Sequence, residues 1–160
     1  MAELSDLEPS SKRFIERYPF PDLPAPHFAP LQKPLSESKV ALVTTAGIHL
    51  KTDKPFSKLF LVSDCSYREI PSDVDPRNLQ ITHTSEEFDQ NGAIQDLNVV
   101  LPIDRMKDLL KKGKIGAINH RHFSFMGSLP RTGALRNKTA PALARSLKED
   151  GVDIVLLTPV

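Results

Sequence analysis

The chain has 160 residues, with 21 Lys and Arg against 20 Asp and Glu and so a formal charge of +1; that length suits one domain with a real core, and the balance gives no electrostatic reason to expect nucleic acid or an acidic membrane as a partner. Cys65 is the only cysteine, which excludes an internal disulfide and a metal site built on thiolates. No secretory pattern follows Met1 and no apolar run nears the ~20 residues of a membrane span, so a cytoplasmic protein is expected.

Residues 1–38 read as a Pro-rich arm. Pro9, Pro19, Pro21, Pro24, Pro26, Pro30 and Pro34 are half of the 14 prolines, and proline lacks a backbone donor, so Pro19–Pro34 is expected to run extended over a surface. Before it, Ser10 or Ser11 is placed to cap a short helix over Lys12–Tyr18, with Phe14, Ile15 and Tyr18 as its apolar patch. The organised part, residues 39–160, opens on the aliphatic run Val40–Val43, which breaks into Thr44-Thr45-Ala46-Gly47 as a strand into a loop. Phe60–Val62 and Tyr67–Ile70 are short candidate strands, and Leu79–His83 is a third, followed by Thr84 and Glu87 at capping-box spacing. A helix follows, with Asp104 at its start, Met106, Leu109 and Leu110 as buried face, and Gly113 ending it. Ile115–Ile118 reads as a strand. A second helix begins near Thr139, turns Ala140, Leu143, Ala144 and Leu147 to a sheet, and stops at Gly151 before the buried strand Ile154–Leu157. Helix, glycine, strand, twice over, predicts an α/β fold with a mostly parallel sheet, helices on both faces, and Val40–Val43, Ile115–Ile118 and Ile154–Leu157 as neighbouring central strands.

In open α/β sheets ligands bind beyond the carboxyl ends of the strands, which directs attention to His83 at the end of its strand. An imidazole there suits substrate contact or proton transfer, and equally suits capping of the local backbone. Arg121 and His122 could hold an anion together. His120 and His122 would bind metal only with a third ligand converging from elsewhere, and no metal is expected. Cys65, beside Asp64, reads as a small buried hydrophobe, since a neighbouring carboxylate opposes the thiolate. The glycines form no phosphate-binding pattern, so no nucleotide cofactor is expected.

Val40–Gly47, Asp64-Cys65-Ser66-Tyr67-Arg68-Glu69-Ile70-Pro71, His83, Asn98–Asp104, Gly113–Gly116 and Asp150–Val160 stand in one order along residues 39–160. Together they resemble the selenoprotein B family of glycine, sarcosine, betaine and D-proline reductases, in its short D-proline-reductase-like branch. The resemblance implies a cytoplasmic oxidoreductase subunit that cleaves a C–N bond of a small amino acid through a selenol or thiol nucleophile, with a thiol reductant. It places that nucleophile immediately after Val160, so the chain reads as the family's N-terminal part, inactive as given; a selenocysteine UGA read as a stop and a cloned portion would both give this sequence. It also implies Asp64, Ser66 and Arg68 on a loop by the site, with Arg68 on the substrate carboxylate, and His83 facing the substrate. Thr84–Asp89 replaces the family's glycine-rich stretch, which weakens any transfer of glycine reductase specificity.

Reductase-complex subunits and a homodimer, formed through the arm or an uncovered sheet edge, are the expected partners. A noncatalytic α/β protein binding a small carboxylate, and an assembly protein using the Pro-rich arm, are the competing readings.

Overall fold

The computed structural model describes residues 4–19, 25, 29–59, 63–85 and 88–160, in two compact units, one ending at Pro30 and one spanning Leu31–Val160. The first holds helix α1 (Pro9–Arg17). It begins earlier than the serine caps suggested. Pro9 occupies its first turn, where the missing N–H costs nothing, and Glu8 precedes it without a side-chain cap. Phe14 and Tyr18, one turn apart, bring their rings to 5.5 Å, and both are exposed. Half of the expected extended stretch Pro19–Pro34, and the Phe60–Val62 strand, lie outside the described residues.

In the second unit, strand β1 (Lys39–Thr44) is the centre. Later come β2 (Ile48–Leu50), β3 (Tyr67–Pro71), β4 (Leu79–Ile81), β5 (Ala117–Ile118), β6 (Arg121–Phe125) and β7 (Ile154–Thr158). On one edge β1 pairs in parallel with β7, on the other with β5 and then β6; β3 closes the sheet antiparallel to β6. The remaining two strands, β2 and β4, form a separate antiparallel ribbon.

Alternation along β1 sorts its side chains between two cores. Val40 and Leu42 pack with Ile103 and Met106 of α3 (Ile103–Lys111); Ala41 and Val43 pack with Leu143 and Leu147 of α4 (Ala140–Glu149). The result is the expected α/β fold, a largely parallel sheet with helices on both faces. A short helix α2 (Gln90–Gln95) is capped by Asp89, whose carboxylate accepts from Gly92; Glu87, the other half of the capping box read after β4, is outside the described residues.

Three expectations about burial are corrected. Leu109 and Leu110 of α3 are each 39 % exposed, because the helix turns Ile103 and Met106 to the sheet. Ala140 and Ala144 are exposed at the side of α4. Among the described residues β7 is an edge strand and not a central one, with Leu157 66 % exposed.

The strand expected at Ile115–Ile118 is shorter and continues after a break as β6. Between the two the register against β1 advances by two residues, from Val40↔Ile118 to Val43↔Phe123. The break is filled by His122. Its Nδ1 accepts the Leu42 N–H at 3.1 Å, standing where a strand carbonyl would, and its Nε2 lies 3.2 Å from Ser72 Oγ. Since Ser72 gives its own proton to the Asn119 carbonyl, it accepts from His122, which fixes the proton on Nε2. At the rim, Arg121 grips Asp150 through Nε and Nη2, both at 2.8 Å, and reaches Glu69 at 3.1 Å; these bonds from Arg121 hold Asp150 down to about 2. No helix of the described residues is long and apolar enough to cross a membrane.

Burial, with a smaller push from Lys107, lowers His122 to about 4. The unfolded chain binds that proton near pH 6.5, so the contribution of the neutral ring is complete above ~6.5 and is lost as pH falls toward 4. The loss is about 3 kcal/mol. Urea unfolding between pH 7 and 4.5 is expected to show this slope, and His122→Asn, whose side-chain oxygen can take the Leu42 N–H, to flatten it. An equal slope in the variant would remove His122 as its source.

Candidate active-site crevice

The parallel strands β1, β6 and β7 end together, and the turns that follow are tied to one another. Thr45 N–H donates to the Thr158 carbonyl at 3.3 Å and Gly127 N–H to the Thr45 carbonyl at 2.7 Å. Val160 N–H donates to Thr45 Oγ1 at 2.9 Å, and that hydroxyl lies 3.3 Å from the Val160 carbonyl. Gly47 brings in the end of the β2–β4 ribbon: it accepts from Thr82 N–H at 2.9 Å. Its φ is +66°, and a Cβ there would stand 2.1 Å from the Thr82 carbonyl, so no other residue fits.

That approach delivers His83 to the strand ends. The ring is 6 % exposed and meets Phe88 edge-on at 4.9 Å. Its Nδ1 accepts from Ser85 N–H at 3.1 Å, so the neutral ring carries its proton on Nε2. Nε2 is buried with no hydrogen-bond partner among the described residues. Burial lowers the His83 pKa, against smaller opposing pulls from the backbone at Ser85 and Thr45. A Cβ on Gly127 would lie 2.8 Å from Nε2 and 3.1 Å from the carbonyl oxygens of both Thr45 and Val160. The imidazole and the two carbonyls thus close over the α-carbon of Gly127, and a larger residue there would displace them.

The other residues singled out by the sequence stand elsewhere. Asp64 accepts from Ser57 N–H at 2.9 Å and from both the amide and the hydroxyl of Ser66; burial resists its ionisation, but these bonds outweigh it and hold the carboxyl below its usual range. Arg68 donates to Ser66 Oγ at 2.8 Å and to the carbonyls of Lys54 and Tyr67 at 2.9 and 3.0 Å, with its guanidinium 4.3 Å from the Phe56 ring centre. Asp64, Ser66 and Arg68 are thus brought together, but no contact among the described residues joins Arg68 to His83. Arg121 and His122 are engaged in the rim ion pairs and in the β1–β6 break. Cys65 is buried, its Sγ 3.5 Å from the Arg131 carbonyl. No group of three His, Cys, Asp or Glu side chains that could hold a metal occurs among the described residues. Gly127 has no chemical signature of its own: the run before it, His122-Phe123-Ser124-Phe125, alternates as a strand does, but His122 reads equally well as a ligand.

Over residues 10–160 the chain matches the family described as glycine/sarcosine/betaine reductase selenoprotein B. It is similar to the D-proline reductase subunit gamma of Acetoanaerobium sticklandii, 40 % identical over 138 residues, covering 86 % of this chain and 55 % of that one. It is also similar to the glycine reductase complex component B subunit gamma of Carboxydothermus hydrogenoformans, at 31 % identity over 86 % of this chain and 32 % of that one. The sarcosine reductase complex component B subunit beta of Peptoclostridium acidaminophilum is 29 % identical, over 93 % of this chain and 34 % of its own. The chain thus spans about half the length of the first relative and about a third of the others. No solved structure matches it. With the whole of the sheet and its strand-end crevice inside the matched region, the chain belongs to the glycine/sarcosine/betaine reductase selenoprotein B family.

Proposed function

We propose that this polypeptide is part of an amino-acid reductase subunit that cleaves a C–N bond reductively, with D-proline or a close analogue as substrate. The observation that carries the reading is His83, buried beyond the ends of the parallel strands with its Nε2 proton unmatched among the described residues, in a chain that belongs to this reductase family. A ring N–H offers a bond to the carboxylate of an amino acid. Similarity to a D-proline reductase subunit names the substrate to try first.

On this reading the nucleophile is a selenol or thiol following Val160, beside the crevice that His83 faces. Its anion attacks the carbon bearing nitrogen, the C–N bond breaks with its electron pair leaving on nitrogen, and a thiol reductant supplies the two electrons that release the product. A selenol suits this because its lower pKa keeps it anionic at neutral pH. His83 does not serve as a proton acceptor: its Nδ1 lone pair is taken by Ser85, and it contributes a fixed hydrogen bond that orients the ligand.

Calorimetric titration of the 160-residue chain with D-proline is expected to show binding that His83→Leu weakens about tenfold or more, the scale of one charge-assisted hydrogen bond. His83→Gln, which keeps a donor near the Nε2 position, is expected to retain most of the affinity. Full affinity in His83→Leu, with the fold confirmed by circular dichroism, would contradict the assignment.

The same chain is expected to show no ring opening of D-proline with dithiothreitol. Its one thiol, Cys65, is buried against the Arg131 carbonyl and flanked by an ionised Asp64. Turnover that disappears in Cys65→Ser would overturn that expectation.

A further inference from the structure

The β2–β4 ribbon buries a second histidine close to the crevice. His49 lies in the middle of β2, opposite Gln80, and is 1 % exposed. Burying an imidazole is costly unless its ring nitrogens find partners, and here both do. Nδ1 lies 2.8 Å from the Leu50 carbonyl and Nε2 2.9 Å from Thr82 Oγ1. A carbonyl only accepts, so in the neutral ring the proton is on Nδ1, and Nε2 accepts from the Thr82 hydroxyl. This is the opposite tautomer from that of His83, whose Nδ1 is the acceptor.

The ribbon register makes the contact. His49 pairs with Gln80, and two residues earlier Gly47 accepts from the Thr82 N–H, so His49 and Thr82 are diagonal neighbours across the ribbon. β4 ends at Ile81. Beyond it, the Thr82 N–H bond to Gly47 and the hydroxyl bond to His49 hold the chain that carries His83. Threonine is stiff at χ1, and its rotamer is tied to its backbone angles. Fixing the hydroxyl therefore fixes the backbone from which the next side chain, His83, leaves. The His49 ring is itself held by buried Phe56, edge-on at 6.2 Å, and the Arg68 guanidinium lies over Phe56 in turn.

We infer that His49 is a positioning residue for His83: through the Thr82 hydroxyl it sets the direction in which His83 presents Nε2 to a ligand. His49, Thr82, Phe56 and His83 are all buried among the described residues, so the arrangement is internal to this part of the fold. The inference rests on the ligand-binding role proposed for His83.

Substitution separates the two ring nitrogens. His49→Gln keeps an acceptor near the Nε2 position for Thr82, whereas His49→Asn keeps a donor near the Nδ1 position for Leu50 and loses that acceptor. A ring that merely held β2 would be replaced better by Asn; one that positions His83 is replaced better by Gln. In nitrogen-15 spectra of the ligand-free 160-residue chain, the His83 ring resonances are expected to keep their native positions in His49→Gln and to move in His49→Asn and in Thr82→Val. D-Proline affinity in calorimetry is expected to fall about fivefold in the latter two, the scale of one hydrogen bond, and no further when they are combined. His83 resonances unmoved in both, with the fold confirmed by circular dichroism, would overturn the inference. So would losses that add in the double variant, or a His49 ring protonated at Nε2. Absence of D-proline binding to the native chain would remove the ligand reading alone, because the ring resonances report the placement of His83 without ligand.

Discussion

Backbone satisfaction along β1 is the constraint on which the rest depends. Val40–Thr44 are all buried, and a buried strand must find a partner for every N–H and carbonyl. On the β7 edge an unbroken parallel ladder does this. On the other edge the ladder breaks at Leu42, and His122 supplies the missing acceptor only while it is neutral. The two edges together fix where β1 ends, and its end is where Thr44, Thr45 and Gly47 collect the turns after β6, β7 and β4. The crevice is therefore a product of strand pairing. Its polar atoms are mostly backbone atoms, held by the sheet.

Much of this was legible in the residues. A run as dense in aliphatics as Val40–Val43 has few places to go except between two layers, and Gly113 and Gly151, at φ +63° and +69°, mark the ends of α3 and α4 as their positions suggested. What escaped was what no single segment encodes. The apolar density of Ile154–Leu157 says that both faces suit burial, not that anything lies against them. Leu109 and Leu110 share a helix face with Met106 only in part, and the phase is decided by the Ile103 contact with the sheet. The β6 strand was hidden because a histidine inside it does a carbonyl's work, an arrangement with no sequence period.

The site was legible in the same uneven way. His83 stood out because an imidazole at a strand end is chemically conspicuous, and the structure puts it at the strand ends with one ring nitrogen free. Arg68 was conspicuous for the same reason, but its donors go to Ser66 and to the carbonyls of Lys54, Pro55 and Tyr67. Arg121 likewise found Asp150 and Glu69. A guanidinium announces what it can bind, and only the fold says what reaches it first. Gly127 and the Thr45 carbonyl had no chemical signature at all, and their part in the crevice comes from position.

The proposed site depends on the state and surroundings of one imidazole. Nitrogen-15 spectra of the His83 ring, recorded at neutral pH with and without D-proline, test it most directly. The structure requires a neutral ring protonated at Nε2, and the proposed site requires the Nε2 resonance to shift on ligand addition while Nδ1 keeps its Ser85 hydrogen bond. A ring protonated at Nδ1, or an Nε2 signal unmoved by saturating D-proline, would contradict the account.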